Sequence, residues 1–119
     1  MKRSLLLGAL AIVLPCAGTP KKEPSFVEEA QAATLDALKD PESARFKWVR
    51  ATDGTKLDMR WRAICGEVNA KNSHGGYTGF SRFVTFRIAN YDFKTVIEGE
   101  DRNSGTPFAA SWREYCAAR

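Results

Sequence analysis

Phe80-Ser81-Arg82-Phe83-Val84-Thr85-Phe86-Arg87-Ile88-Ala89 is the clearest strand signal in this 119-residue chain. Successive side chains of a strand point to opposite faces, so Phe80, Val84, Phe86 and Ile88 fall on one side. Ser81, Thr85 and Arg87 fall largely on the other. Upstream, Met59–Asn69 carries Trp61, Ile64, Cys65 and Val68 and reads as a second strand. Further back, 45–51 alternates with Phe46 and Trp48 on one face. Asp53-Gly54 is a turn signal that joins this segment to the strand after it. Downstream, 93–98 adds a short fourth strand.

Helical patterns flank these strands. Ser25-Phe26-Val27-Glu28 matches a capping box, in which the serine hydroxyl and the glutamate carboxylate satisfy free backbone N–H groups. A helix over about 26–39 follows. Phe26, Val27, Ala30, Ala33, Ala37 and Leu38, with Thr34 between, recur at three- and four-residue intervals and form one stripe. Asp40-Pro41 stops it, because proline pushes the preceding residue out of helical geometry. Near the C-terminus, Thr106 reads as an N-cap and Pro107 as the first helical position of a run to about 118. Phe108, Trp112 and Cys116 stand at i, i+4 and i+8, on the face that points at the sheet. The fold class expected is α+β: N- and C-terminal helices packed on a three- to four-stranded, mainly antiparallel sheet, with one disulfide.

The chain opens on Met1-Lys2-Arg3, an apolar run over 5–14, then Pro15-Cys16-Ala17-Gly18. That is the charged, apolar and small-residue order of a secretory signal. The run is shorter than the roughly 20 residues that span a bilayer. The domain reading is therefore a signal over 1–18, a polar tether over 19–24 and a single α+β domain over 25–119. Cys16 closes the apolar run as the acceptor cysteine of a bacterial lipoprotein does, although Pro15 precedes it where a small residue is usual. Lipidation at Cys16 and ordinary cleavage after Ala17 or Gly18 both fit. Either way the protein is expected to be exported, periplasmic or membrane-anchored, and to touch a membrane only through that lipid.

Without Lys2 and Arg3, 16 basic side chains face 14 acidic ones, a net charge of +2. A nucleic-acid partner, which calls for a concentrated basic stripe, is not expected. Cys65 and Cys116 remain as an even pair in an oxidising compartment. A bridge between them closes a loop worth about 4 kcal/mol in the chain-entropy model. The alternative of a redox or metal-binding pair lacks a C-x-x-C spacing, and the chain holds one histidine.

Between the second and third strands runs Cys65-Gly66-Glu67-Val68-Asn69-Ala70-Lys71-Asn72-Ser73-His74-Gly75-Gly76-Tyr77-Thr78-Gly79-Phe80. Together with Leu38-Lys39-Asp40-Pro41-Glu42-Ser43-Ala44-Arg45-Phe46 it resembles an uncharacterised group of small exported bacterial, or prophage-associated, proteins that carry C-G-x-V-N-A-K-N-S-x-G-G-Y-x-G-F. The spacing of Phe108, Trp112 and Cys116 looks like the ending of the same group. The resemblance spans most of the mature chain and implies no particular activity.

The segment offers Asn69, Lys71, Asn72, Ser73, His74 and Tyr77 as candidate binding groups on a loop whose glycines permit unusual backbone angles. Asparagine amides in such loops also bond their own backbone, so a purely structural loop is the competing reading. As a recognition surface, Lys71 brings a movable cation, the amides bring directional bonds and Tyr77 brings stiff contact area.

Enzyme signatures are weak. His74-Gly75-Gly76 echoes an esterase oxyanion loop, but no G-x-S-x-G exists. Gly75, Gly76 and Gly79 do not have dinucleotide spacing. Glu98-Gly99-Glu100-Asp101 lacks the acid spacing of a calcium loop. Arg60, Arg62, Arg82 and Arg87 form a candidate basic face on the sheet. No catalytic residue, metal or cofactor is expected.

The function expected is a non-catalytic envelope or periplasmic binding module, inhibitor- or immunity-like, using the 69–79 loop. Its partner would be an envelope protein or cell-wall component, for example the paired carboxylates of a cell-wall hydrolase cleft facing Lys71. The alternatives are a small envelope enzyme acting on glycan or peptide, with His74 and Glu67 as acid and base, and a structural envelope component.

Overall fold

The computed structural model describes residues 23–71, 75–77, 79–100 and 107–117. The expected signal and the Thr106 cap lie outside the described residues. Among those described, two helices and four strands follow in the order α1 (Phe26–Asp36), β1 (Arg45–Lys56), β2 (Met59–Asn69), β3 (Ser81–Ile88), β4 (Lys94–Ile97) and α2 (Phe108–Tyr115). The strands form one antiparallel sheet in the order β1-β2-β3-β4.

α1 starts where the capping box places it. The Ser25 hydroxyl accepts the Glu28 N–H at 3.2 Å. The helix stops at Asp36, earlier than the expected 39, and Ala37 is exposed at its cap. The chain then turns through a 3₁₀ segment at Pro41–Ser43. Leu38, although outside the helix, still packs against the core.

β1 departs from the reading in two ways. It runs through Asp53 and Gly54 to Lys56, and the hairpin turn is made by Leu57 and Asp58, at φ 50° and 63°. Two successive positive φ angles are the geometry that matches the twist of a tight antiparallel hairpin. The second departure is a β-bulge: Lys47 pairs with Glu67 and Arg50 with Cys65, so Trp48 and Val49 together face Gly66. The extra residue breaks the two-residue period. Val49 takes the inward position beside Phe46, and Trp48 is left 71% exposed.

The helices cover opposite faces of the sheet. Ile64, Val68 and Phe83 pack with Phe26 and Ala30 of α1. On the other side Trp61, Ala63, Cys65, Val84 and Phe86 pack with α2. This explains why β2 and β3 are apolar on both faces, as strands covered on both sides must be. Thr85 lies on the face opposite Val84 and Phe86, as expected, and is fully buried there beneath α1. Thr85 Oγ1 lies 2.6 Å from Thr34 Oγ1 and 2.8 Å from Thr95 Oγ1, and Thr34 donates to the Ala30 carbonyl at 2.8 Å. Each hydroxyl has a single hydrogen, so the chain of donors runs Thr95, Thr85, Thr34, Ala30 carbonyl.

α2 is held at its C-terminal end by three ties to the sheet. The Cys65–Cys116 disulfide joins β2 to the helix end, with Cα atoms 5.9 Å apart. The Thr52 hydroxyl donates to the Tyr115 carbonyl at 2.7 Å, and Arg50 donates to the Cys116 carbonyl. These side chains satisfy carbonyls that a helix end otherwise leaves open. Phe108 and Cys116 are buried as expected, and Tyr115 joins them, stacked on Phe86 at 4.2 Å and edge-on to Trp61 at 4.8 Å.

Candidate recognition surface

The loop after β2 and the bulge in β1 lie at the same end of the sheet. The loop is closed at its base by an antiparallel bridge between Lys71 and Tyr77. Ser43, from the 3₁₀ turn, fastens this base. Its hydroxyl accepts the Lys71 N–H at 2.9 Å and donates to the Asp40 carbonyl at 2.9 Å, while its carbonyl accepts the Tyr77 phenol at 3.2 Å. Ser43 thus ties the 3₁₀ turn to Lys71 and to Tyr77.

Lys71 Nζ lies 5.7 Å from the centre of the Tyr77 ring, and that ring is 45% exposed. Gly75 and Gly79 adopt φ 81° and 91°, which side-chain-bearing residues rarely adopt, so the glycines carry the bends expected of them. Asn69 ends β2, and its side-chain oxygen is buried without a hydrogen-bond partner among the described residues. Asn72, Ser73, His74 and Thr78 lie outside the described residues. Behind the loop base is a cleft of about 90 Å³ bordered by Leu38, Val68 and Lys71. Small-molecule sites are commonly several times larger.

A second feature of this end was not anticipated. Trp48 stands at φ 59° in the bulge. The left-handed region costs a side-chain-bearing residue on the order of 1–2 kcal/mol. Gly66 stands opposite the bulge, where a Cβ would meet the Lys47 carbonyl oxygen and the Val49 Cα, each at 3.1 Å, a tighter approach than ordinary van der Waals contact. Trp48 lines an open groove of about 570 Å³ with Arg50, Glu67, Arg82 and Trp112.

The cations in and beside this groove are positioned by rings and acids. Arg82 stacks 4.8 Å from the Trp112 ring and 5.2 Å from the Phe108 ring, and donates from Nε to Glu98 at 2.9 Å. Lys47 Nζ lies 4.9 Å from the Phe80 ring and 5.6 Å from the Trp48 ring. Such contacts hold a cation over the negative face of an aromatic ring. The sequence signal for this arrangement is the pair Trp48-Val49, two successive apolar residues that interrupt the alternation after Phe46.

The four arginines read as one basic face do not share one. Arg82 belongs to the α2 side, whereas Arg62 and Arg87 stack on Phe26 at 4.1 Å and on Phe93 at 4.6 Å on the α1 side. Arg60, 3.9 Å from Asp53, borders one cleft with Arg62 and Arg87, so three of the four arginines do come together. Glu98 is engaged by Arg82, and among the described residues no three histidine, cysteine or acidic side chains converge to hold a metal ion. No family model, no curated protein and no solved structure matches this chain.

Proposed function

We propose that this protein is a non-catalytic binding module of the bacterial cell envelope, exported by its N-terminal signal and inhibitor- or immunity-like in its mode of action. Its recognition element is the 69–79 loop. Its partner is an envelope protein or a cell-wall component. The observation that carries the reading is the fastening of the loop base to Ser43. A base held by two hydrogen bonds and a bridge presents Lys71 and Tyr77 at a defined place, which lowers the ordering cost of binding. The Cys65–Cys116 disulfide supports an oxidising compartment, where such bonds persist.

In its most specific form, Lys71 and the loop amides engage the paired carboxylates of a cell-wall hydrolase. The test sets the native protein beside a Lys71→Ala, Tyr77→Ala double variant of unchanged melting temperature. Both are used in pull-downs from envelope extract and in inhibition assays against a panel of muramidases. A partner or an inhibition that the native protein shows and the variant loses supports the loop as the recognition element. Identical recovery by both, with no inhibition by either, removes the loop from that role.

A further inference from the structure

We propose that the groove beside Trp48 is a saccharide-binding site, in which a sugar ring stacks on the exposed indole and its hydroxyls bond to Arg50, Arg82 and Glu67. The inference concerns side chains other than those of the loop and does not depend on the loop's role.

Trp48 is the starting observation. At φ 59°, glycine or asparagine would sit with less strain, and the ring is 71% exposed, so its conformation is not compensated by burial. Val49 already fills the core position beside it. Blunting the sheet edge needs only the bulge or a charged residue, not an indole. A bulge re-aims a side chain, and here it lays a large flat ring along the wall of a groove.

The rest of the groove identifies what fits it. Trp48 and Trp112 provide two aromatic walls, Arg50 and Arg82 provide donors, and Glu67 provides an acceptor. Arg50 is held by the Cys116 carbonyl, and Arg82 by Glu98 and the Trp112 ring, so both guanidinium groups are positioned before any ligand arrives. An acidic peptide would bring its carboxylates against Glu67. An apolar ligand would take three charged groups out of water and offer them no hydrogen bond in return. A sugar hydroxyl both donates and accepts, which matches a mixed set of guanidinium and carboxylate groups, and the C–H face of a pyranose matches an indole. The groove, at about 570 Å³, lies within the size range of small-ligand clefts.

The test titrates the purified full-length protein with chitotetraose, with muramidase-digested peptidoglycan and with polyglutamate, following tryptophan emission and heat. The expected result is saturable binding of at least one of the two saccharide probes and none of polyglutamate. Trp48→Ala should weaken that binding by about tenfold, the loss of one ring-stacking contact. Trp48→Gly separates function from folding: glycine relieves the positive φ, so this variant should melt at the native temperature or above it while losing the same affinity. Arg60→Ala, an exposed change beside Arg62 and Arg87 and away from the groove, should bind saccharide as the native protein does. Absence of binding by both saccharides, binding of polyglutamate instead, or unchanged affinity in Trp48→Gly would each overturn the proposal.

Discussion

Gly54 and Trp61 face each other across β1 and β2, and the indole occupies the space where a side chain on Gly54 would begin. A Cβ at position 54 would lie 2.5 Å from Cζ2 of the ring. Trp61 is 2% exposed and packs edge-on against Tyr115, so it cannot withdraw without opening the α2-side core. Gly54→Ala should therefore cost about 1–3 kcal/mol, the usual penalty for overpacking a closed site. Urea unfolding should show a lower midpoint with an unchanged slope.

Ser43 supplies a second prediction. Its hydroxyl accepts from Lys71 and donates to the Asp40 carbonyl, so Ser43→Ala removes both contacts at once. A loss of about 1–2 kcal/mol is expected. The more specific readout is amide hydrogen exchange. The Lys71 amide should exchange faster in the variant, while amides within β2 and β3 keep their native protection.

The threonine chain beneath α1 yields a third. Thr85→Val keeps the shape of the side chain but leaves the Thr95 hydroxyl without its acceptor and the Thr34 oxygen without its donor. Destabilisation of about 1–3 kcal/mol is expected despite the near-equal volume. Adding Thr34→Val to Thr85→Val should cost less than the sum of the two single changes, because the two residues share one hydrogen bond. A double-mutant cycle measures the difference.

Alkaline pH provides a fourth. Burial raises the Tyr115 phenol above the ordinary tyrosine range, with Glu114 adding to the effect. The Lys56 ammonium is also raised, chiefly by its hydrogen bond to Glu114 at 2.6 Å. In both cases the folded state holds its proton more tightly than the unfolded chain does. Stability is then fully present below the unfolded-state values and falls as pH rises above about 10. Tyr115→Phe should move the alkaline fall in melting temperature to higher pH, because no phenol remains to ionise in the core.

Much of this architecture was legible in the residues. The Ser25 cap, the bounds of β2, the core of β3 and the Cys65–Cys116 pairing follow from local chemistry or from a simple count of cysteines, and they stand in the structure. Ser43 was visible only as part of a quoted segment. Its role as the fastener of the loop base joins positions 28 residues apart in the chain, a relation that local pattern does not encode.

Taken by itself, the sequence determined which segments are strands and helices, because periodicity and capping act over a few neighbouring residues. It also determined the chemical repertoire of the loop, because side-chain chemistry needs no fold. Only the folded chain decided that the helices cover opposite faces of the sheet, which buries Thr85 on one face as fully as Val84 on the other. It decided that Gly54 serves an indole rather than a turn, and that the bulge opposite Gly66 exchanges Val49 for Trp48 at the core. The physical reason is common to all three. Each depends on what lies across the sheet, and a one-residue change of register reverses every side chain that follows it.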